Sequence, residues 1–178
     1  ESNGWQYLWS VPQDIRGLIT LVGGKDRFAE KLDSMFTYIP AGKEDLPIFS
    51  TGMIGQYAHG NEPSHHIAYL YDYVGQPWKT QEMTRRLLHE MYAPTPEGII
   101  GNEDCGQMSG WYILSSLGIY SVCPGSNEFA LTTPLFEKAV VNLANRKTLT
   151  ILANNPKKNV YITKVELNGQ PIDVNFIT

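Results

Sequence analysis

The stretch "GNEDCGQMSGWYILSSLGIY", residues 101–120, divides the chain into two kinds of sequence. It begins with two carboxylates and an amide between glycines and continues into an apolar segment. The large side chains of that segment recur at about helical spacing: Met108, Trp111, Tyr112, Leu114 and Ile119. Because glycine permits a tight turn, we expect a loop at 102–106 and a helix that starts near Gln107. Loops held by a rigid scaffold are where binding and catalytic groups concentrate.

The same loop has a plainer interpretation. Asn and Asp side chains accept hydrogen bonds from free backbone donors at the start of a helix. Asn102 and Asp104 would then serve only a turn and a cap. The residues alone leave this interpretation open beside a functional one.

Upstream of this stretch the pattern is helical. Residues 12–37 predict two short helices separated by the Gly23–Gly24 break, and residues 64–75 and 77–92 predict two more. Residues 38–63 are rich in Gly, Pro and polar groups, which is typical of a long loop. A loop of that length in a compact domain is usually functional or disordered.

Downstream, the apolar period shortens towards two. Four segments rich in Val, Ile, Thr and Phe alternate with polar turns: "EFALT", "FEKAVVNL", "KTLTILAN" and "NVYITKVELNG". We therefore predict an α+β chain, with helices over about residues 10–118 and an antiparallel β segment over about residues 119–178. The domains we expect follow the same division, one at 1–118 and one at 119–178.

Composition limits the classes of function. The chain has 178 residues, 42% hydrophobic and 11% aromatic, which is enough for a buried core. Its net charge of -4 and its lack of Lys or Arg runs argue against a nucleic-acid surface. No apolar stretch reaches the length of a membrane span. Cys105 and Cys123 form no metal-binding pattern, and we expect two thiols, with a single disulfide as the alternative.

Three polar clusters lie where loops meet predicted helices: "ESNGWQY" at 1–7, "YAHGNEPSHH" at 57–66 and "GNEDCGQ" at 101–107. Each combines carboxylate, amide and aromatic or imidazole groups. This composition suits a sugar, since carboxylates and amides bind hydroxyls, aromatic rings stack on pyranose faces and a carboxylate pair performs acid–base chemistry. It also suits calcium, which prefers oxygen ligands.

Several of these residues also fit structural roles. His59, His65 and His66 have no spacing typical of a zinc site. His65 and His66 are more simply explained as hydrogen-bonded structural imidazoles. The four tryptophans individually suit a core better than a sugar platform. Glu62, which precedes Pro63, also fits an exposed turn.

Five ordered motifs resemble glycoside hydrolase family 92. They are "ESNGWQY" at 1–7, "VPQD" at 11–14, "HGNEPSHHIAYLYDYVGQPWKTQ" at 59–81, "GNEDCGQMSGWY" at 101–112 and "GIYSVCPGSNEFALTTPLFEKAVVNL" at 118–143. Members of that family are exo-acting, calcium-dependent α-mannosidases that invert the anomeric centre. The resemblance implies that the chain is the C-terminal part of a module in which a β-sandwich precedes an (α/α)6 toroid. The predicted helices would be the last helices of that toroid.

The resemblance also implies catalytic roles. Glu1 takes the position of the general acid, in a motif where Ser2 replaces the family's Gly. Asp104 takes the position of the general base. Asn102 stands where other members carry a second Asp that assists water activation.

Binding roles follow in the same way. Asn61 and Glu62 match a segment associated with calcium and the terminal mannose, and His59 matches an imidazole that contacts the sugar. The remaining candidates for substrate binding are Trp5, Glu103 and Gln107.

The resemblance therefore implies hydrolysis of terminal non-reducing α-linked mannose, α-1,2-linked in the first instance, by an inverting, calcium-assisted acid–base mechanism. The expected partners are mannose-containing glycans and the remaining β-sandwich and toroid of the same protein, outside the cytoplasm, with no nucleic acid and no membrane span. The isolated chain is expected to be inactive. A carbohydrate-binding or structural fragment without catalysis is the alternative. Glu1 argues against a third interpretation, a mannose-1-phosphate uncapping hydrolase, in which the acid is replaced.

Overall fold

The computed structural model describes residues 2–40, 48, 50–172 and 175–178. In these residues the α-helices are α1 (Gly4–Tyr7), α2 (Ile15–Val22), α3 (Lys25–Thr37), α4 (Leu70–Tyr73), α5 (Pro77–Glu90) and α6 (Gln107–Leu117). Short 3-10 turns occupy Pro12–Asp14, Glu62–Ser64, Ile67–Tyr69 and Asp104–Gly106. The strands are β1 (Met53–Ile54), β2 (Tyr57–Ala58), β3 (Ile119–Tyr120), β4 (Phe129–Leu131), β5 (Lys138–Asn142), β6 (Thr148–Leu152), β7 (Val165–Leu167), β8 (Gln170–Ile172) and β9 (Phe176–Ile177).

All of the strand pairs are antiparallel, in the order β1–β2, β3–β4–β9, β5–β6 and β7–β8. Helices precede most of these small sheets, so the prediction of an α+β chain is confirmed. No helix in the described part of the chain has the length and apolarity needed to cross a membrane.

The first two long helices confirm the predicted break at Gly23–Gly24. Helix α2 begins where the Asp14 carboxylate accepts a hydrogen bond from the Gly17 N–H at 2.8 Å, and it ends at Gly23 in the left-handed conformation. Helix α3 then begins one residue after this pair. An aspartate before the helix and a glycine after it are the termini that the backbone favours.

Two sequence predictions were wrong in detail. The predicted loop at 38–63 contains the β1–β2 hairpin, whose Gln56 N–H donates to the Met35 carbonyl at the end of α3 at 2.7 Å. Strands of two residues are too short to show an alternating pattern. The predicted helix at 64–75 consists of 3-10 turns and the four-residue α4. Residues 67–71 are at most 2% exposed, so their conformation is set by packing on all sides.

The core lies among the helices. Trp9 and Trp111 are fully buried, and Trp9 meets Phe28 edge to face with ring centroids 5.2 Å apart. Such aromatic pairs contribute about 0.5–1.5 kcal/mol beyond the area that they bury. Trp78 is 47% exposed, so the core assignment holds for two tryptophans but not for this one.

The helices and the C-terminal strands are joined by buried polar and aromatic contacts. The Thr84 hydroxyl of α5 lies 2.6 Å from that of Thr132, and Tyr69 stacks on Tyr120 with ring centroids 4.7 Å apart. Helix α6 passes directly into β3 through Gly118, whose carbonyl accepts from the Thr132 N–H at 2.9 Å. The β3–β4–β9 sheet therefore packs on the helices.

The hairpins β5–β6 and β7–β8 lie at the periphery. Side chains of β5 and β6 alternate between half-buried and exposed, and Val140 and Leu152 are 51% and 72% exposed. Of the fourth predicted strand segment, residues 159–169, only Val165–Leu167 forms a strand. A cavity of about 740 Å³ lies beside these hairpins, lined by side chains such as Leu149 and Ile151. None of its lining residues belongs to the three polar clusters, so we place the candidate site elsewhere.

Candidate active site

Two of the polar clusters meet where their backbones cross at glycines. A Cβ atom on Gly101 would lie 2.6 Å from Gly60 Cα, and Gly101 has a φ of 79°. Real Cβ atoms do not approach so closely, and L side chains rarely adopt that φ. The loop after β2 and the loop before α6 are therefore in direct backbone contact only because both positions are glycine.

Asp104 lies next to this crossing. Its backbone N–H donates to the Glu62 carboxylate at 3.3 Å, and its own side chain is exposed. The two following residues, Cys105 and Gly106, are both left-handed, with φ of 54° and 74°. This turn ends the loop and starts α6, so it determines the direction in which Asp104 leaves the backbone.

Glu103 turns towards the helix. Its two carboxylate oxygens accept from the Ser109 N–H at 3.2 and 3.1 Å, and one accepts from the Ser109 hydroxyl at 2.5 Å. The Ser109 hydroxyl holds the pKa of this carboxyl below its usual range. Glu103 is exposed, as is the neighbouring Asn102. The arrangement gives Glu103 the role of a helix cap in addition to any contact with substrate.

His59 is enclosed by aromatic side chains. Its Nδ1 lies 2.8 Å from the Tyr57 hydroxyl, its Nε2 lies 2.9 Å from the Tyr92 hydroxyl, and its ring meets Trp111 edge to face. Tyr92 donates its own proton to the Met108 carbonyl at 3.2 Å. Tyr92 therefore accepts from His59 Nε2–H, and Tyr57 donates to Nδ1. Burial lowers the pKa of His59 to about 3, so the ring is neutral.

The burial of His59 bears on its predicted contact with a sugar. The side chain has 0% exposure, and both ring nitrogens are engaged. In this arrangement the imidazole presents no surface to a ligand and instead supports the loop that carries Asn61 and Glu62.

His65 continues this network to the start of α6. Its Nε2 donates to the His59 carbonyl at 3.0 Å, and its Nδ1 accepts from the Gln107 amide at 3.1 Å. The same amide donates to the Tyr120 hydroxyl at 3.2 Å. With both amide protons used, the direction of the Gln107 carbonyl is fixed. Burial lowers the pKa of His65 to about 4.

His66 completes the row of buried imidazoles. It is 8% exposed, and its Nε2 donates to the Trp9 carbonyl at 2.7 Å. Desolvation lowers its pKa as well. The prediction that His65 and His66 are hydrogen-bonded structural imidazoles is confirmed. Both cysteines are free thiols, as predicted.

The N-terminal cluster contacts the turn of the β1–β2 hairpin at Gln56. Asn3 donates to the Gln56 side-chain carbonyl at 2.9 Å, and the Gln6 amide donates to the Gln56 backbone carbonyl at 2.5 Å. The predicted substrate-binding Trp5 is half-buried and stacks on Tyr38, with ring centroids 5.4 Å apart. The predicted general acid Glu1 lies outside the described residues.

Comparison with known proteins places this arrangement in a family. The family model of the glycosyl hydrolase family 92 catalytic domain matches residues 1–178. The chain belongs to glycosyl hydrolase family 92. The resemblance inferred from the motifs is thereby confirmed.

Solved family 92 structures superpose closely on this chain. A family 92 α-mannosidase from Bacteroides thetaiotaomicron, in complex with mannoimidazole, is 41% identical with a TM-score of 0.92, over 100% of this chain and 23% of its own. A family 92 inverting mannosidase from strain VPI-5482 of that species is 38% identical with a TM-score of 0.81, over 99% of this chain and 25% of its own.

A relative found by sequence is also described as a glycosidase. An uncharacterized secreted glycosidase of Arthroderma benhamiae is 29% identical over 181 residues, covering 99% of this chain and 21% of the relative. The family 92 chain described here thus spans 21–25% of the length of these proteins.

The oxygen atoms of this family 92 site suit a hard cation, but only in part. Asn61 and Glu62, both half-buried, offer amide and carboxylate oxygens beside the Asp104 loop. Within residues 2–40, 48, 50–172 and 175–178, no three or more His, Cys, Asp or Glu side chains are grouped to hold a metal ion. Calcium takes six to eight oxygen ligands, so these two side chains fit as contributors to a larger set.

Three residues of the network are not among the predicted site residues, although Tyr57 begins the predicted cluster at 57–66. Tyr57 and Tyr92 fix the His59 ring, and Ser109 binds Glu103. Tyr57 and Tyr92 lie 35 positions apart and meet only through the fold. Ser109 follows Glu103 by six residues, and an unusual left-handed turn brings the two together.

Proposed function

We propose that the full-length protein hydrolyses terminal non-reducing α-linked mannose with inversion, with Asp104 as the general base. The observation that carries this proposal is the junction of two loops, in which the Asp104 N–H binds Glu62 and Gly101 contacts Gly60. The junction brings a base candidate and a metal-ligand candidate to one place. Solved family members described as an α-mannosidase and an inverting mannosidase support the choice of sugar and stereochemistry.

The base step needs an ionised carboxylate that holds water on the face of the sugar opposite the leaving group. Asp104 is exposed at the turn before α6, where water and substrate can reach it. It would accept the proton of the attacking water as the new bond to the anomeric carbon forms. The exposed Asn102 amide, two residues earlier, can orient that water by a hydrogen bond.

The leaving oxygen needs a proton from a second carboxyl group. In inverting enzymes that group lies about 6.5–9.5 Å from the base, which leaves room for the water. We assign this role to Glu1 from its motif. The adjoining segment is anchored through Asn3 and Gln6 to Gln56, in the turn of the β1–β2 hairpin.

Calcium would be held by the Asn61 amide and the Glu62 carboxylate, with further oxygens from backbone, sugar and water. When bound, the ion would engage the vicinal hydroxyls of mannose and favour the distorted ring that leads to an oxocarbenium-like transition state. The chain's own contribution is the rigid support of these ligands. The buried His59 and His65 support the loop, since His65 Nε2 donates to the His59 carbonyl and the Gln107 amide donates to His65 Nδ1.

The substrate and setting of the whole enzyme are part of the proposal. We assign α-1,2-linked mannose in glycans as the substrate and an extracytoplasmic location, which the secreted relative supports. The helices α2 to α6 would belong to an (α/α)6 toroid completed by the rest of the protein. The isolated 178-residue chain would be inactive, because it spans about a quarter of the family 92 relatives.

Proton NMR of α-1,2-mannobiose hydrolysis tests this proposal on the full-length enzyme. We expect β-mannose as the first product, loss of turnover after chelation and its return with added calcium. Initial release of α-mannose would contradict inversion. Absence of cleavage under every condition would favour a carbohydrate-binding protein over a hydrolase.

A further inference from the structure

The Glu103 carboxylate is tied to the first turn of α6 by one residue. Both of its oxygens lie within 3.2 Å of the Ser109 N–H, and one accepts from the Ser109 hydroxyl at 2.5 Å. We call this pair, Glu103 with Ser109, the 103–109 clamp. Charge-assisted hydrogen bonds of this kind are stronger than those between neutral groups.

The start of α6 explains why the clamp exists. A helix leaves its first N–H groups without partners inside the helix, and a side chain just before it usually binds them. Here the residue at the N-cap position is Gly106, and it supplies no side chain. Glu103, three residues earlier, takes over that function for the third residue of the helix.

The clamp encloses the turn that carries Asp104. Between the two clamped residues, Cys105 adopts φ 54° and ψ 23°, and Gly106 adopts φ 74° and ψ 16°. A left-handed conformation is unfavourable at a residue other than glycine, because the Cβ comes too close to the following carbonyl oxygen. Contacts around the turn must offset that cost. The 103–109 clamp joins the two sides of the turn directly.

The clamp is anchored in the core, whereas Asp104 is held on its other side by a neighbouring loop. Trp111 is fully buried two residues after Ser109, and its indole N–H donates to the His65 carbonyl at 3.0 Å. The Asp104 N–H donates to Glu62. Asp104 therefore lies between two fixed points, one on α6 and one on the loop at 61–62.

We infer that Ser109 is a positioning residue for the general base: through Glu103 it holds the left-handed turn that sets where the Asp104 carboxylate lies. The inference rests on the proposed function of Asp104. It also changes the predicted role of Glu103 from a substrate contact to a support of the base. Misplacement of a reacting group by about 1 Å can reduce the rate about 100-fold, so the loss of one hydroxyl can affect turnover.

The test compares Ser109→Ala, Ser109→Thr and Glu103→Ala in the full-length enzyme. We expect kcat to fall about 10- to 100-fold in Ser109→Ala and further in Glu103→Ala, with KM little changed. Ser109→Thr keeps the hydroxyl and should restore most of kcat. Adding Cys105→Asn to Ser109→Ala should restore part of it, because Asn tolerates the left-handed conformation better than Cys does.

A matched control is Ser34→Ala on the exposed face of α3, where the hydroxyl binds only the Glu30 carbonyl of its own helix, at 2.8 Å. It should retain the parent kcat. Two results would overturn the inference. One is a rise in KM on Glu103→Ala with parent behaviour in Ser109→Ala, which would restore the substrate-contact role. The other is parent kcat per folded Ser109→Ala enzyme with only a lower melting temperature.

Hydrogen exchange separates this inference from the proposed function. In Ser109→Ala the amides of residues 103–106 should exchange about tenfold faster than in the parent, whatever the substrate. Unchanged exchange would refute the clamp even if the enzyme is a mannosidase. If the parent cleaves no mannoside yet exchange increases, the clamp stands and the assigned reaction fails.

Discussion

Two turns of this chain have nearly the same φ angles but differ in the hydrogen bonds around them. In the β7–β8 hairpin, Asn168 and Gly169 are left-handed with φ of 53° and 77°. Before α6, Cys105 and Gly106 are left-handed with φ of 54° and 74°. Asn-Gly is the pair that a tight hairpin favours on local grounds, whereas Cys has no such preference.

The two turns differ in which contacts stabilise the left-handed backbone. The Asn168–Gly169 turn is closed by the pairing of its immediate neighbours, Leu167 and Gln170, in the β7–β8 hairpin. The turn at Cys105 is flanked by a long-range bond between Glu62 and Asp104 and by the bond between Ser109 and Glu103. Strained backbone that persists because its surroundings determine it is typical of functional sites. The predictions that follow compare the helical region around the candidate site with the exposed β7–β8 hairpin, from the largest expected effect to the smallest.

Asp104→Ala in the full-length enzyme should reduce kcat about 100- to 10,000-fold, because the attacking water loses its base. Asp104→Asn keeps the size of the side chain and should lose nearly as much. Steady-state kinetics on mannobiose measures the effect, and the melting temperature should match that of the parent. Activity near the parent level in either variant would remove Asp104 from the mechanism.

Gly101→Ala should destabilise the protein by about 3 kcal/mol or more and lower its activity. A Cβ at this position combines positive φ with a clash at 2.6 Å from Gly60 Cα. Gly169→Ala is the matched control, since it has a similar φ and open space, and it should cost about 1 kcal/mol. Melting temperatures of the two variants give the comparison. Equal losses would mean that the loop crossing has no energetic role.

Acid should weaken the helical region through its buried imidazoles. Burial lowers the pKa of His65 from an ordinary 6.5 to about 4, so between these pH values the unfolded chain binds more protons. Stability is complete above pH 6.5 and is lost as the pH falls towards 4. For one such group the loss at pH 5 is on the order of 1–2 kcal/mol.

The melting temperature at pH 7 and pH 5 tests this, with His65→Gln as the variant. Glutamine keeps a donor and an acceptor but does not titrate, so the pH dependence should shrink. Ser34→Ala, at an exposed position of α3, should leave it unchanged. A parent whose stability is equal at both pH values would contradict the burial argument.

Lys79→Met should cost the helical region about 0.5–1 kcal/mol. Lys79 binds the Asp33 carboxylate at 2.6 Å and joins α5 to α3, with 28% of its side chain exposed. Lys164→Met at the β7–β8 hairpin removes a more exposed pair with Glu166, whose side chains are 67% and 46% exposed, and should cost close to nothing. Denaturant unfolding of both variants compares the two regions. A larger loss of unfolding free energy in Lys164→Met than in Lys79→Met would contradict this prediction.

Local sequence patterns were sufficient for much of the fold. The Gly23–Gly24 break, the start of α6 near Gln107 and the succession of helices and strands follow from periodicity and turn residues. The β1–β2 hairpin was not predicted from the sequence, because its strands have two residues each. The (α/α)6 toroid, the domain boundary near residue 118 and the catalytic and metal assignments remain predictions.

Sequence by itself determined the family, through ordered motifs such as those at 59–81 and 101–112, and it predicted Asp104, Asn61 and Glu62 as site residues. Only the tertiary structure decided what each side chain does there. It buried His59 between two tyrosines and turned Glu103 onto α6. The His59–Tyr92 bond and the Gly60–Gly101 contact join residues far apart in the chain, and the Glu103–Ser109 bond depends on a left-handed turn. A linear pattern contains neither.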